Sequence, residues 1–332
     1  MSAEKILADW KKKIFKPVYW LEGEESYFID QLMNYAEHQI LTESEAGFNL
    51  TVFYGKDADW AAVINACMRY PMFAEKQVVL LREAQQMKDI EKLEGYIGNP
   101  LGSTIFVISY KEKKFDARTK FAKLLKQKAE ILSTKKLYEN QLPEWTSQMV
   151  QRHGLGITPK ALALLIDHIG NDLSRLENEI EKLSVNLGEQ KNIREEDIEK
   201  FIGISKEFNV FELQNALAKK NLPKAIRIVQ YFSANPKAGP IQQILPSLYG
   251  FFSKVAMIFG TDAADEKSLA AAIGINAFFI KDYLTASRNY GSIGTEKILL
   301  LLHQYNLRSI GINNPGTDGG ELLKELVVKM IG

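Results

Sequence analysis

The chain contains a single cysteine, Cys67, so it has no internal disulfide, and a small disulfide-stapled fold is excluded. Histidine is nearly as scarce: His38, His153, His168 and His303 are scattered without the spacing of metal ligands. No metal site is expected. An excess of charge is lacking as well, since 42 Lys and Arg face 41 Asp and Glu for a net charge of +1. No global field then draws the chain to nucleic acid or to an anionic membrane, and a charged partner has to be met by a local patch. No apolar run approaches a membrane-spanning length, and no apolar segment follows the first lysines. The expectation is a cytoplasmic chain without a membrane partner. Internal repeats and low-complexity tracts are missing too. What is present is length and apolar content: 332 residues, 46% hydrophobic, enough for two or three domains with their own cores.

Three regions follow one another. Up to about Leu142, short β-rich runs (Val18 to Leu21, Asn49 to Tyr54, Gln77 to Leu81, Thr104 to Ser109) alternate with helical patterns (Tyr27 to Leu41, Trp60 to Arg69, Arg118 to Lys128). Such alternation predicts βαβ units and a mainly parallel sheet. The unbroken apolar run Val78-Val79-Leu80-Leu81 suits a strand covered on both faces. From residue 143 to 207 the pattern reads as wholly helical. Thr158-Pro159 is a good helix start, Leu173, Leu176, Ile180, Leu183 and Leu187 form one apolar stripe, and Gly188 suits a C-cap. From 208 to 332 seven helical segments are expected, with a turn-rich loop from Asn313 through Pro315 to Gly320 before the last.

The junction after the first strand, Leu21-Glu22-Gly23-Glu24-Glu25-Ser26, stands where many α/β proteins hold phosphate. A phosphate loop of the form G-x-x-x-x-G-K-[ST] needs glycine-rich backbone around the phosphates, a lysine to neutralise them and a hydroxyl for Mg²⁺. Here there is one glycine, no lysine, and three glutamates that would repel a triphosphate. Gly23, Glu24, Glu25 and Ser26 therefore read as a degenerate phosphate loop with no nucleotide expected. The alternative from the residues alone is an ordinary strand-to-helix turn whose acids favour the helix start. Where an ATPase places a metal-binding acid after a buried strand, this chain has Arg82, then Glu83.

The runs "VYWLEGEESYFID", "MRYPMFAEKQVVLLREAQQMK", "TIFVISYKEKKFDARTKFAKLLK", "GNDLSRLENEIEKLS" and "FNVFELQNALAKKNLPKAIRIVQYF" together resemble the delta subunit family of the bacterial DNA polymerase III clamp loader. The resemblance implies an α/β plus all-α fold: a degenerate AAA+ (RecA-like) parallel-sheet domain over 1–142, a small helical lid over 143–207 and a C-terminal helical collar over 208–332. It implies a subunit without an active site of its own in a nucleotidyltransferase complex, needing no cofactor, that binds the beta sliding clamp and helps open it. Partners would be the gamma/tau and delta prime subunits through the collar, and DNA in the assembled complex.

On this resemblance Met72 and Phe73 match the apolar pair that enters a pocket on the clamp, and Tyr70 falls where a further contact is expected. Pro71 departs from the usual small polar residue. From spacing alone, Met72 and Phe73 read equally well as plugs of the core beneath the next strand. Arg175 matches a phosphate-sensing arginine of active relatives; with no phosphate loop to serve, it is expected to be structural or to face a neighbouring subunit. Lys120 and Lys123 lie in the densest basic stretch of the chain, a candidate contact for phosphate backbone or simply a solvated helix face. Two other functions stay open: a P-loop-like ATPase of DNA repair or remodelling with a nonstandard phosphate site, and a general helical scaffold.

Overall fold

The computed structural model describes residues 2–236, 238–314 and 316–332. Pro315 of the turn-rich loop lies outside the described residues. The chain forms two compact units, one ending at Leu137 and the other starting at Tyr138.

The first unit is built on five strands, β1 (Val18–Gly23), β2 (Leu50–Tyr54), β3 (Gln77–Arg82), β4 (Thr104–Lys111) and β5 (Glu130–Thr134). They lie in the order β2-β3-β4-β1-β5, and every pairing is parallel. Val18 pairs with Phe106, Tyr19 with Glu130 and Val78 with Ile105, which puts β4 at the centre with β1 between it and β5. The order is that of the RecA-like AAA+ sheet. Because side chains alternate across a strand, the run at 78–81 splits between faces. Val78 and Leu80 join Leu21, Ile29, Leu32 and Val107 in one core; Val79 and Leu81 join Trp20, Val63, Phe106 and Phe121 in the other. The first core is covered by α1 (Ala3–Lys11), α2 (Ser26–His38) and α3 (Glu43–Asn49), the second by α4 (Trp60–Cys67), the short α5 (Glu94–Ile97) and α6 (Lys120–Lys128).

Local chemistry starts these helices. Thr42 and Glu45 form a capping box at α3, Asp59 caps α4, and Thr119 caps α6. The sequence patterns give four of the five strands. They miss β5, whose Glu130-Ile131-Leu132-Ser133-Thr134 is short and follows a lysine-rich helix, and they miss α1 and α3.

The second unit contains α7 (Leu142–Arg152), α8 (Pro159–Ile169), α9 (Leu173–Asn186), α10 (Glu195–Ile202), α11 (Val210–Ala218), α12 (Leu222–Ala234), α13 (Ile241–Ile258), α14 (Glu266–Ala272), α15 (Ile280–Ser309) and α16 (Gly319–Ile331). Thr158 caps α8 with Pro159 in its first turn, and the α9 stripe from Leu173 to Leu183 is buried. Gly188, at φ +58°, follows the end of α9. The wholly helical expectation for 143–207 is corrected in one detail: two-residue strands β6 (Gly156–Ile157) and β7 (Asn192–Ile193) pair in parallel, too short to leave a periodicity signal. Two helices expected on either side of residue 291 run together as α15, broken at Gly291 by φ 63° and ψ −179°. From Val210 onward α11, α12, α13, α15 and α16 share one apolar core that includes Leu213, Ile228, Phe252, Ile298 and Leu326. Among the described residues no single helix is long and apolar enough to cross a membrane.

Candidate functional site

Parallel strands put all their C-terminal ends on one edge of the sheet and all their N-terminal ends on the other, and in open α/β sheets the C-terminal edge is the usual ligand crevice. Here that edge is closed by protein groups. Gly23 is at φ +130°, and a Cβ there would lie 2.2 Å from the carbonyl oxygen of Thr134; only glycine lets β5 pass this close. The Glu24 N–H donates to the Thr134 carbonyl at 3.4 Å and the Glu25 N–H to Thr134 Oγ1 at 3.2 Å. Glu25 is buried, and its own carboxylate accepts from the Tyr27 N–H at 3.1 Å, capping α2. The amides that a phosphate loop would turn toward its anion are thus engaged, one of them by a built-in carboxylate at the helix start. Ser26 opens α2 behind them.

Further along the same edge, Glu22 accepts from Trp20 Nε1 at 2.9 Å, from the Phe115 N–H at 3.1 Å and from Ser133 Oγ at 2.9 Å. Arg82 pairs with Glu37 and donates to Asn34 Oδ1 at 3.2 Å. Lys111 is held between Asp30 at 2.7 Å and Glu83 at 3.0 Å. Burial alone would lower the Lys111 pKa, but the hydrogen bonds and charges of Asp30 and Glu83 outweigh it and hold it above the ordinary lysine value. Among the described residues no group of three His, Cys, Asp or Glu side chains is arranged to hold a metal.

The opposite edge carries the apolar candidates. After α4, the loop to β3 exposes Tyr70 (76%), Met72 (53%) and Phe73 (94%) to solvent. The core-plug reading of Met72 and Phe73 is therefore corrected: the side chains beneath β3 are Val63, Ala66 and Cys67 of α4, and burial there pushes the Cys67 thiol pKa up. Phe73 also has φ +55°, a left-handed conformation that costs a bulky residue energy unless its surroundings impose it.

Two buried amides hold the chain on the N-terminal side of Phe73. Asn49, 3% exposed at the end of α3, accepts from the Met72 N–H at 2.6 Å and donates to the Met72 carbonyl at 2.9 Å. Gln77, 5% exposed at the start of β3, donates to the Arg69 carbonyl at 2.5 Å and to Thr104 Oγ1 at 2.7 Å. The Thr104 hydroxyl in turn donates to the Cys67 carbonyl at 2.8 Å. The sequence patterns placed Asn49 and Gln77 as first residues of strands and missed this role; a polar amide heading an apolar run was the available signal. Phe48, next to Asn49, is exposed as well.

Lys120 and Lys123 are exposed on α6, one face of which is buried through Phe121, Ala122 and Leu125. In the second unit, the exposed Arg175 lines a cavity of about 410 Å³ with His168, Ser205, Asn209 and Gln243. Burial, and next the nearby Arg175 charge, hold the His168 pKa below its usual value. The candidates thus occupy separate places: Gly23 to Ser26 lie at one edge of the sheet, Tyr70, Met72 and Phe73 share a loop at the other, and Arg175 is in the second unit.

These features define a class: a RecA-like parallel sheet whose C-terminal edge is filled by its own side chains, followed by a largely helical unit. Residues 19–135 match the family model described as DNA polymerase III, delta subunit. The chain is 22% identical over 332 residues to the DNA polymerase III subunit delta of Bacillus subtilis, covering 97% of this chain and 94% of that protein. It is 23% identical over 224 residues to a probable DNA polymerase III subunit delta of Aquifex aeolicus, covering 64% and 62%. The solved structure of the Bacillus subtilis DNA clamp loader delta protein shares the fold, with a TM-score of 0.54 at 21% identity over 99% of each chain. The delta-subunit likeness is thus strongest in the first unit and, with the Bacillus subtilis protein, extends along the chain.

Proposed function

We propose that this chain is the subunit of a bacterial DNA polymerase III clamp loader that grips the beta sliding clamp through Tyr70, Met72 and Phe73 and helps open it for loading onto primed DNA, in the cytoplasm. The observation that carries the reading is the exposure of an apolar pair on a loop held by buried hydrogen bonds. Met adapts to a pocket and Phe supplies rigid apolar area, the makeup of a small hot spot. Burying the two is worth roughly 1.5–3 kcal/mol each. A nonstandard ATPase is disfavoured, because the Glu24 and Glu25 amides that would meet phosphate are already bonded to Thr134.

Opening requires a difference in affinity: a ligand shifts a conformational equilibrium only as far as it prefers one state. The chain is expected to bind a clamp subunit with a free interface at least tenfold more tightly than the closed ring. Equal affinity for both, measured by titration, would remove the opening role and leave a simple tether.

The helices from Val210 onward would serve as the collar that joins the gamma/tau and delta prime subunits, with 143–207 as the lid and Arg175 facing a neighbour. Lys120 and Lys123 would touch DNA phosphate in the assembled loader. Replacing both with Gln should lower the salt slope of DNA binding by the whole loader by roughly 1–2; an unchanged slope would assign them to solvent.

A further inference from the structure

At the loop from Arg69 to Gln77 an unusual combination meets: a phenylalanine almost fully in water, a left-handed backbone at that same residue, and a buried side-chain amide from α3 that bonds both backbone groups of the residue before it. Asn49 gives Met72 both of its backbone hydrogen bonds, and its remaining amide hydrogen goes to the Glu45 carbonyl at 3.0 Å. An asparagine amide has two donor hydrogens and one acceptor oxygen, so both donors are used here and the oxygen is engaged. Three bonds from a residue that is 3% exposed tie the last turn of α3 to the middle of the exposed loop. Gln77 fixes the base of the loop at Arg69, leaving Tyr70 to Phe73 as a short span pinned at one end and at its centre.

An apolar pair on a free loop would fold back against the protein or sample many conformations, and each would reduce the fraction ready to bind. Pinning the Met72 peptide group removes that reduction. We infer that Asn49 is a positioning residue: its carboxamide holds the Met72 peptide in place and so keeps Met72 and Phe73 turned outward in a binding-ready arrangement before any partner arrives. The inference rests on the clamp-binding reading for its partner, while the pinning itself can be measured in the chain alone.

Two measurements separate these. Amide hydrogen exchange on the full chain reads the Met72 N–H directly. In the wild type this amide is slow; in Asn49→Ala, and to a smaller degree in Asn49→Asp, it exchanges at least tenfold faster while the amides of β1, β3 and β4 keep their protection. Clamp titration then compares Asn49→Ala in the wild-type and Phe73→Ala backgrounds. A positioning role predicts about a tenfold loss of affinity in the first and a much smaller loss in the second, because there is less left to position. Equal losses in both backgrounds, or unchanged Met72 exchange in Asn49→Ala, would overturn the inference. If the wild type fails to bind the clamp while Met72 exchange depends on Asn49, the pinning stands and the choice of partner falls.

Discussion

The two edges of the sheet solve opposite problems with the same kind of bond. At the C-terminal edge, where the fold offers amides and a helix start to an anion, Thr134, Glu25 and the Lys111 cluster use up the polar groups and close the surface. At the N-terminal edge, Asn49 and Gln77 use buried amides to hold an apolar loop open to solvent. Internal hydrogen bonding closes the surface in the first case and, on the proposed reading, presents a binding loop in the second. A fold can therefore keep its sheet while its working surface moves to the other side, because the strands are held by backbone pairing and apolar packing that neither edge disturbs.

The comparison can be broken at either edge. The largest expected effect belongs to the open one: Met72→Ser with Phe73→Ser should reduce clamp affinity on the order of 100-fold or more, the loss of two hot-spot side chains, with no change in Tm because both are exposed. Next comes the closed edge. Gly23→Ala sets a methyl group against the Thr134 carbonyl at a φ that alanine rarely adopts, and should cost about 2–3 kcal/mol in denaturant unfolding. A stability within 0.5 kcal/mol of wild type would mean that β5 is free to move away from the loop.

The smallest effect concerns Lys111. Its pKa is raised in the folded chain by Asp30 and Glu83, so its contribution is complete below the unfolded lysine value of roughly 10.4 and is lost as pH rises through the higher folded value. Lys111→Met should therefore lose about 1–2 kcal/mol at neutral pH, a deficit that narrows above about pH 10.5. A deficit that does not vary with pH would assign the loss to packing.

Much of this was legible beforehand. The run at 78–81 announced a strand covered on both faces. Thr158-Pro159 fixed a helix start, and the α9 stripe its buried face. The rest depended on partners far apart in the chain. Asn49 meets Met72 across 23 residues, and Glu25 meets Thr134 across 109; no local periodicity encodes either. For Met72 and Phe73, spacing allowed a buried and an exposed reading alike, since an apolar pair after a helix fits both. Their exposure depends on Asn49 and Gln77 anchoring the backbone, and a polar amide ahead of an apolar run is only a faint local sign of that role.

The most direct test is a titration of the isolated chain with the sliding clamp, with and without Mg-ATP, for the wild type and for Met72→Ser/Phe73→Ser with its fold confirmed by its melting curve. The account predicts binding by the wild type that is the same with and without ATP, and its loss in the folded double variant. Binding that requires ATP, or that survives the loss of Met72 and Phe73, would contradict it.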